Sequence, residues 1–332
     1  MNVGETTALG RTALRVTRMG LGSAPLGNLY SEVSDEQARQ VVELAYERGI
    51  RFFDTAPLYG YGLAENRVGA VLSSRPRETF VLATKVGRLL QSGREPDPSQ
   101  FFDGEPFYKA TPSVAPVFDF SHDGVMRSLQ DSLERLHLDR VDILHIHDPD
   151  DHHDEAITGA FRALADLRSE GVIGAVGSGM NQAEMLVRFA LEADFDCFLL
   201  AGRYTLLDQS GLRELLPLCQ SKGIAIIIGG VFNSGLLADP KPGSRFNYVP
   251  ASPDVIERAR RISAVCDNHL VSMKAAAMRF PFGHPSVASV LVGCRSVAEL
   301  EENIDAFEAE VPGDLWRELK AEGLLADEVP TP

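Results

Sequence analysis

The amino-acid sequence predicts an α/β protein, a single (β/α)8 TIM barrel with an N-terminal β-hairpin and a long loop on its catalytic face. Short apolar runs of β-forming residues alternate with amphipathic helical segments, a pattern that is typical of a parallel sheet. Eight such runs are present. Three successive runs end in a titratable residue, as strands do at the C-terminal face of barrel enzymes.

The first elements predicted are the hairpin, over residues 6–16, and a barrel strand over residues 19–23. Ser34 or Asp35 is suited to cap a helix that runs to Gly49, because its apolar residues recur at helical spacing. The other seven barrel strands are predicted at residues 52–54, 80–85, 141–147, 174–177, 197–201, 224–228 and 287–292. Further helices are predicted at residues 63–73, 121–137, 155–170, 182–192, 212–222, 254–269 and 273–280, and two more within residues 297–325.

Between residues 87 and 119 the alternation stops, and no helix or strand is predicted. This segment is rich in proline and aromatic residues, which favours packing over disorder. Because it follows Lys85 directly, we expect it to cover the catalytic face as an active-site lid; a plain surface insertion is the alternative.

Composition excludes several classes of protein. The chain has 332 residues, of which 44% are hydrophobic, and no uninterrupted apolar stretch reaches the length of a membrane helix. A formal net charge of −15 disfavours nucleic acid and anionic membranes as partners. We expect one domain over residues 1–332, a cytoplasmic location and a small-molecule substrate.

The three titratable strand ends are Asp54, Lys85 and His147, and the loop after Asp54 carries Tyr59. Neighbouring strands bring Asp54 and Lys85 together, so one interpretation is a buried ion pair beside a core histidine. Three such residues at three strand ends suit a catalytic site better than a core.

These residues stand in the motifs Asp-Thr-Ala-x-x-Tyr-Gly, Ala-Thr-Lys and Ile-His-x-Pro, whose order and spacing resemble the catalytic tetrad of the aldo-keto reductases. The resemblance extends over nearly the whole chain. It implies that a nicotinamide cofactor exchanges hydride with carbon while Tyr59 exchanges the proton with oxygen. Lys85 is expected to lower the pKa of Tyr59, Asp54 to hold Lys85, and His147 to bind the reacting oxygen.

The resemblance also implies a site for NAD or NADP that differs in part from the common family pattern. Ser178 and Asn181 are expected to hold the carboxamide from shifted positions, and Tyr204 is expected to stack on the nicotinamide, with a rim tyrosine as the alternative. Glycines allow close backbone approach to a pyrophosphate. The matching loop contributes Gly230, Phe232, Ser234 and Gly235, and the adenosine segment contributes Arg295, Glu299, Glu302 and Asn303.

The choice between NAD and NADP depends on Arg295 and Glu299. Arg295 is suited to pair with a 2′-phosphate, whereas the carboxylate of Glu299 repels one. If the two side chains pair with each other instead, the pocket is neutral. Both readings predict that NAD is at least as good a cofactor as NADP.

At the substrate end, Asp148 stands where many relatives have tryptophan. Polar groups that bind hydroxyls discriminate strongly for polyols, so a sugar is expected. The motifs Gly-Ser-Gly-Met-Asn-Gln at residues 177–182 and Ala-Gly-Arg-Tyr-Thr-Leu-Leu at residues 201–207 resemble the branch of D-threo-aldose 1-dehydrogenases and L-fucose dehydrogenases. This resemblance implies oxidation of the anomeric C1 hydroxyl of a free aldose to a lactone. Pyridoxal 4-dehydrogenase activity and general aldehyde or ketone reduction are the alternatives.

Two other classes of protein remain in view. His145 and His147 share a face of one strand, which suggests a metal-dependent barrel hydrolase, but no later strand clearly ends in another histidine. We therefore expect no metal. A nucleotide-sensing subunit without catalysis would have a broken tetrad, and here all four residues are present.

Overall fold

A computed structural model describes residues 1–95 and 97–332. Its strands, in chain order, are β1 (Thr6–Ala8), β2 (Arg15–Thr17), β3 (Met19–Gly22), β4 (Phe52–Asp54), β5 (Val81–Val86), β6 (Arg88–Gln91), β7 (Phe101–Phe102), β8 (Glu105–Pro106), β9 (Ala115–Phe118), β10 (Ile143–His147), β11 (Ala175–Met180), β12 (Cys197–Ala201), β13 (Ala225–Gly229), β14 (Arg245–Phe246), β15 (Val249–Pro250) and β16 (Val287–Val292).

The helices surround these strands and follow the order of the chain. They are α1 (Asp35–Glu47), α2 (Leu63–Leu72), α3 (His122–Leu136), α4 (His153–Glu155), α5 (Arg162–Ser169), α6 (Glu184–Glu192), α7 (Leu215–Lys222), α8 (Pro253–Asn268), α9 (Met273–Arg279), α10 (Val297–Glu308) and α11 (Gly313–Ala321). Ser34 caps α1, since its side chain accepts the backbone N–H of Gln37. None of these helices is long and apolar enough to span a bilayer.

Eight parallel strands close into a barrel in the order β10-β11-β12-β13-β16-β3-β4-β5. The predicted (β/α)8 fold is therefore confirmed, and β1 and β2 form the predicted antiparallel hairpin. Apolar side chains fill the barrel interior, among them Phe52, Ala83, Ile143 and Ile227, and Leu9 of the hairpin packs against them. A larger apolar layer between the strands and the helices forms the main core.

The prediction that residues 87–119 contain no strand is wrong. β6 pairs with β9 and β7 with β8, both antiparallel, so two small hairpins lie in this segment. Proline stands within β8 and β9, which conceals such short strands in a sequence because proline cannot donate to a ladder. We refer to residues 87–119, without the undescribed residue 96, as the catalytic-face segment.

Among the boundaries that differ from the prediction, two lie close to the site. β11 runs to Met180 rather than ending at Gly177, although two glycines made this stretch a weak strand candidate. The helix predicted over residues 155–170 begins earlier, at His153, and passes through a wider π-helical turn at Ala156–Phe161 before α5.

Candidate active site

Asp54 and Lys85 form a buried ion pair at the C-terminal end of the barrel. Lys85 Nζ donates a hydrogen bond to Asp54 Oδ1 at 2.7 Å and another to the Thr55 carbonyl oxygen at 2.8 Å. Both side chains are almost fully buried, at 1% and 3% exposure. The parallel pairing of β4 with β5 brings the two strand ends together, as the sequence predicts.

The loop after β4 places Tyr59 directly above this pair. Its ring centre lies 4.6 Å from Lys85 Nζ, and its half-buried side chain faces the open end of the barrel. The loop is held by backbone contact between Gly27 and Gly60: a Cβ at Gly60 would lie 2.3 Å from the Gly27 carbonyl oxygen. Side chains at these two positions would therefore displace Tyr59.

The structure adds influences that oppose the expected lowering of the Tyr59 pKa by Lys85. Burial, followed by the negative charge of Asp54, raises the pKa of Tyr59 well above its usual range. Because Asp54 neutralises Lys85 at 2.7 Å, the ammonium does not outweigh desolvation in this structure. Tyr59 is thus a protonated phenol at neutral pH, ready to donate a proton.

His147 completes the group of four. Its ring meets the Tyr59 ring edge-on, with centroids 5.7 Å apart. Burial and the nearby cations Lys85 and Arg88 hold the pKa of His147 well below its usual range, so the imidazole is neutral. A neutral imidazole has one N–H to donate to a reacting oxygen.

His145 lies one layer deeper inside the barrel and is fully buried. Its ring occupies the space above Gly177, where an added Cβ would come within 2.2 Å of Nδ1. Burial lowers the pKa of His145 to about 3. Within residues 1–95 and 97–332, no three His, Cys, Asp or Glu side chains are grouped to hold a metal ion.

A first cleft opens beside Tyr59 and Asp54 and leads toward the ends of β13 and β16. Several residues predicted to bind the cofactor line it: Asn181, Gly230, Phe232, Ser234, Gly235 and Arg295. Gly230 and Gly235 have positive φ values of 61° and 94°, a backbone conformation that residues with a side chain rarely adopt. Their backbone is therefore open to the cleft. This lining of glycine backbone with one guanidinium suits a phosphate-bearing cofactor.

Five predicted cofactor residues lie outside this cleft, and two of them, Ser178 and Tyr204, belong to β11 and the loop after β12. Ser178 faces away from the barrel interior and donates to the Ile146 carbonyl oxygen at 3.0 Å, because β11 continues through it and side chains alternate between faces. The ring of Tyr204 is fully buried against Phe280, with centroids 5.1 Å apart. A ring packed in the core cannot stack on a nicotinamide, so both predictions are corrected.

The adenosine segment is only partly as predicted. Arg295 lines the cleft, whereas Glu299 accepts the backbone N–H of Arg295 at 2.7 Å, and its carboxylate lies 4.0 Å from that guanidinium. Glu302 instead pairs with Lys274 at 3.0 Å, and Asn303 is buried. None of these three acidic or amide side chains lines the cleft, since α10 turns them toward its other faces.

A second cleft lies on the opposite side of Tyr59 and is lined by Lys85, His147 and Asp148. Burial raises the pKa of Asp148 to about 6. The two clefts share six residues, namely Leu29, Tyr59, Asn181, Leu199, Ala201 and Tyr248. A molecule in each cleft would therefore meet at Tyr59, which is the arrangement that hydride transfer between a cofactor and a substrate requires.

The sequence interpretation missed Arg88, which lines the second cleft from β6. Its Nη2 lies 3.7 Å from Asp148 Oδ2. The catalytic-face segment also contributes Gln100, Phe107 and Tyr108 to this cleft. The sequence signal for Arg88 was a cation three residues after Lys85. Because no strand was predicted there, the direction of the Arg88 side chain could not be inferred.

The chain is similar to known oxidoreductases over almost its whole length. Residues 18–322 match the aldo/keto reductase family model. A pyridoxal 4-dehydrogenase of Microbacterium luteolum is 43% identical over 98% of this chain and 99% of its own length. A D-threo-aldose 1-dehydrogenase of a Pseudomonas species is 42% identical over 98% of each chain.

The holo form of an aldo-keto reductase from Bacillus halodurans superimposes with a TM-score of 0.78 over 98% of this chain and 97% of its own, at 24% identity, which supports the fold alone. The family match and the two full-length relatives go further than the fold. This chain belongs to the aldo/keto reductase family, whose oxidoreductases use nicotinamide cofactors.

Proposed function

We propose that this protein oxidises the anomeric C1 hydroxyl of a free aldose, of the L-fucose or D-threo-aldose type, to the lactone. The observation that carries the proposal is the polar lining of the second cleft beside Tyr59, where Arg88, Asp148, Asp150 and Gln100 stand ready to bind hydroxyl groups. The similarity to a D-threo-aldose 1-dehydrogenase agrees with it.

When bound in the first cleft, NAD or NADP supplies the hydride acceptor. Asn181, Ser234, Arg295 and the backbone at Gly230 and Gly235 are the groups that would hold it. We propose that both cofactors are accepted and that NAD is at least as good, since the Glu299 carboxylate is within 4.0 Å of the Arg295 guanidinium and offsets its charge.

The proton steps belong to the chain's own residues. The phenolate form of Tyr59 would take the proton of the substrate hydroxyl as the C1 hydrogen leaves with its bonding electron pair, and a C1=O bond would remain; a bound nicotinamide would be the acceptor of that hydride. Neutral His147 donates a hydrogen bond to the same oxygen, and Lys85 stabilises the phenolate form of Tyr59 that accepts the proton. Because the pKa of Tyr59 is raised, oxidation is expected to be favoured at alkaline pH and reduction at lower pH.

Oxidation of pyridoxal at its 4-position carbon is the second candidate. Phe107, Tyr108 and Tyr248 line the same cleft with aromatic rings, which suit a planar pyridine ring. A relative that is 43% identical carries the name pyridoxal 4-dehydrogenase. General aldehyde or ketone reduction is the remaining alternative within the family.

The deciding experiment is a panel of free aldoses and pyridoxal with NAD and NADP, followed by absorbance of the reduced nicotinamide. The proposal predicts that L-fucose or a stereochemically similar aldose has the highest kcat/KM. Turnover of pyridoxal with no turnover of any aldose would replace it with the second candidate.

A further inference from the structure

Arg88 is a buried arginine whose hydrogen-bonding capacity is largely unused. Its side chain is only 8% exposed, yet Nε and Nη1 have no hydrogen-bond partner. The guanidinium stacks on the Phe118 ring at 4.4 Å and borders the second cleft. Buried donors without partners are costly, so natural structures rarely keep them without a reason.

The carboxylates around Arg88 compensate its charge but do not bond to it closely. Asp148 Oδ2 lies 3.7 Å from Nη2, and Asp97 Oδ2 lies 3.9 Å from Nη1. Both distances exceed those of a hydrogen bond between a guanidinium and a carboxylate. Nε and Nη1 are buried from solvent, so Nη2 is the donor of Arg88 that an oxygen atom in the cleft can reach.

The backbone holds this arginine in place. Arg88 pairs with Phe118 across the β6–β9 hairpin, so the residue that carries the guanidinium and the ring beneath it belong to one unit. Asp148 has a φ of 43°, a conformation that is uncommon for aspartate and turns its side chain into the cleft next to His147. Its Oδ2 lies 3.6 Å from His147 Nε2.

We propose that Arg88 determines substrate specificity together with Asp148: Arg88 donates hydrogen bonds to one substrate oxygen, and Asp148 accepts one from the hydroxyl on the neighbouring carbon. This inference rests on the proposed function and deepens it. Because Asp148 also borders His147, the hydroxyl pair that is bound lies next to the reacting carbon. A substrate with a hydroxyl adjacent to the reacting carbon is therefore preferred over one without it.

The charge of the site narrows the substrate class further. Four carboxylates, of Asp54, Asp97, Asp148 and Asp150, face two cations, Lys85 and Arg88, and Lys85 is already paired with Asp54. An anionic group would meet excess negative charge there. A neutral polyhydroxylated substrate is expected, and phosphorylated analogues are expected to be rejected.

The test compares reduction of glyceraldehyde, which has a hydroxyl next to its aldehyde, with reduction of propanal, which has none. In Arg88→Met, kcat/KM for glyceraldehyde is expected to fall by roughly 10- to 100-fold, chiefly through KM, and that for propanal by less than about threefold. Arg88→Lys, which keeps the charge, is expected to recover part of the loss. Arg127→Met is the control, since Arg127 is an exposed arginine that pairs with Asp119 beside the same hairpin.

Equal losses on both aldehydes would mean that Arg88 only supports the hairpin, and the inference would be overturned. It would also be overturned if the unmodified protein reduced glyceraldehyde no faster than propanal, or glyceraldehyde 3-phosphate as well as glyceraldehyde. A selective loss in a protein that oxidises no aldose would leave the Arg88 inference standing and reject the proposed function. The Arg88 inference and the proposed function can therefore be tested separately.

Discussion

Lys85 Nζ lies 2.7 Å from Asp54 Oδ1, and this buried pair sits directly beneath the Tyr59 ring. The Lys85 ammonium thus pairs with the Asp54 carboxylate and can also stabilise the phenolate form of Tyr59. Burial raises the pKa of Tyr59 most, the Asp54 charge raises it further, and the two charges of the pair can be removed separately by substitution.

Replacing Tyr59 with phenylalanine deletes the proton carrier and keeps the ring. Turnover is expected to fall by about 10²- to 10⁴-fold, the usual contribution of a general acid or base, while cofactor affinity changes little. Steady-state kinetics and equilibrium titration with NAD measure the two quantities. Near-normal turnover in Tyr59→Phe would refute the role assigned to Tyr59.

Asp54→Asn and Lys85→Met are expected to shift the alkaline limb of the pH–rate profile in opposite directions. Asp54 raises the pKa of Tyr59, so its neutral replacement lowers that pKa and moves the limb to lower pH. Loss of the Lys85 cation raises the pKa and moves the limb to higher pH. Profiles of kcat/KM against pH test this, and a shift in the same direction for both variants would contradict it.

For His145 we predict an effect on stability rather than on activity. Its folded-state pKa of about 3 lies below the usual value of about 6.5, so the unfolded chain binds a proton that the folded protein does not, and stability falls as pH drops below about 6.5. Between pH 7 and about 4.5, the free energy of unfolding of His145→Gln is expected to fall by about 2 kcal/mol less than that of the unmodified protein.

Urea unfolding at the two pH values gives this difference, with His122→Gln as the control because His122 is an exposed imidazole on α3. A loss on acidification that is equal in the unmodified protein and in His145→Gln would show that His145 takes up its proton while folded.

Cofactor preference tests the pairing of Arg295 with Glu299. We expect kcat/KM for NAD to be at least as high as that for NADP, and Glu299→Gln to shift the ratio toward NADP by roughly two- to fivefold, as is usual for exposed charges. Glu301→Gln, an exposed change on the same helix, is the control. An NADP preference above tenfold in the unmodified protein would mean that Arg295 dominates.

The barrel and the four residues at its mouth were predictable because strand periodicity and titratable strand ends are local features of the sequence. Asp54, Lys85 and His147 each lie at or next to the end of a strand, and the closed parallel order brings those ends together without further information. The predicted contact between Asp54 and Lys85 is confirmed at 2.7 Å.

The predictions for Ser178, Tyr204 and the region of Arg88 failed because the direction of a side chain there depends on strand register or on packing between distant segments. Ser178 faces outward because β11 runs past Gly177, and a strand that continues fixes its side by alternation. Tyr204 is buried because Phe280, far along the chain, packs on it. Arg88 was overlooked because the hairpin that orients it pairs residues 30 positions apart.

The most direct test of the proposed function is oxidation of L-fucose that carries deuterium at C1, with NAD as the cofactor. The expected result is reduced nicotinamide that contains the deuterium, formed together with the lactone, and a rate that is lost in Tyr59→Phe. Reduced nicotinamide without deuterium, or no reduction of NAD by any free aldose under conditions where pyridoxal is oxidised, would contradict oxidation at the anomeric carbon.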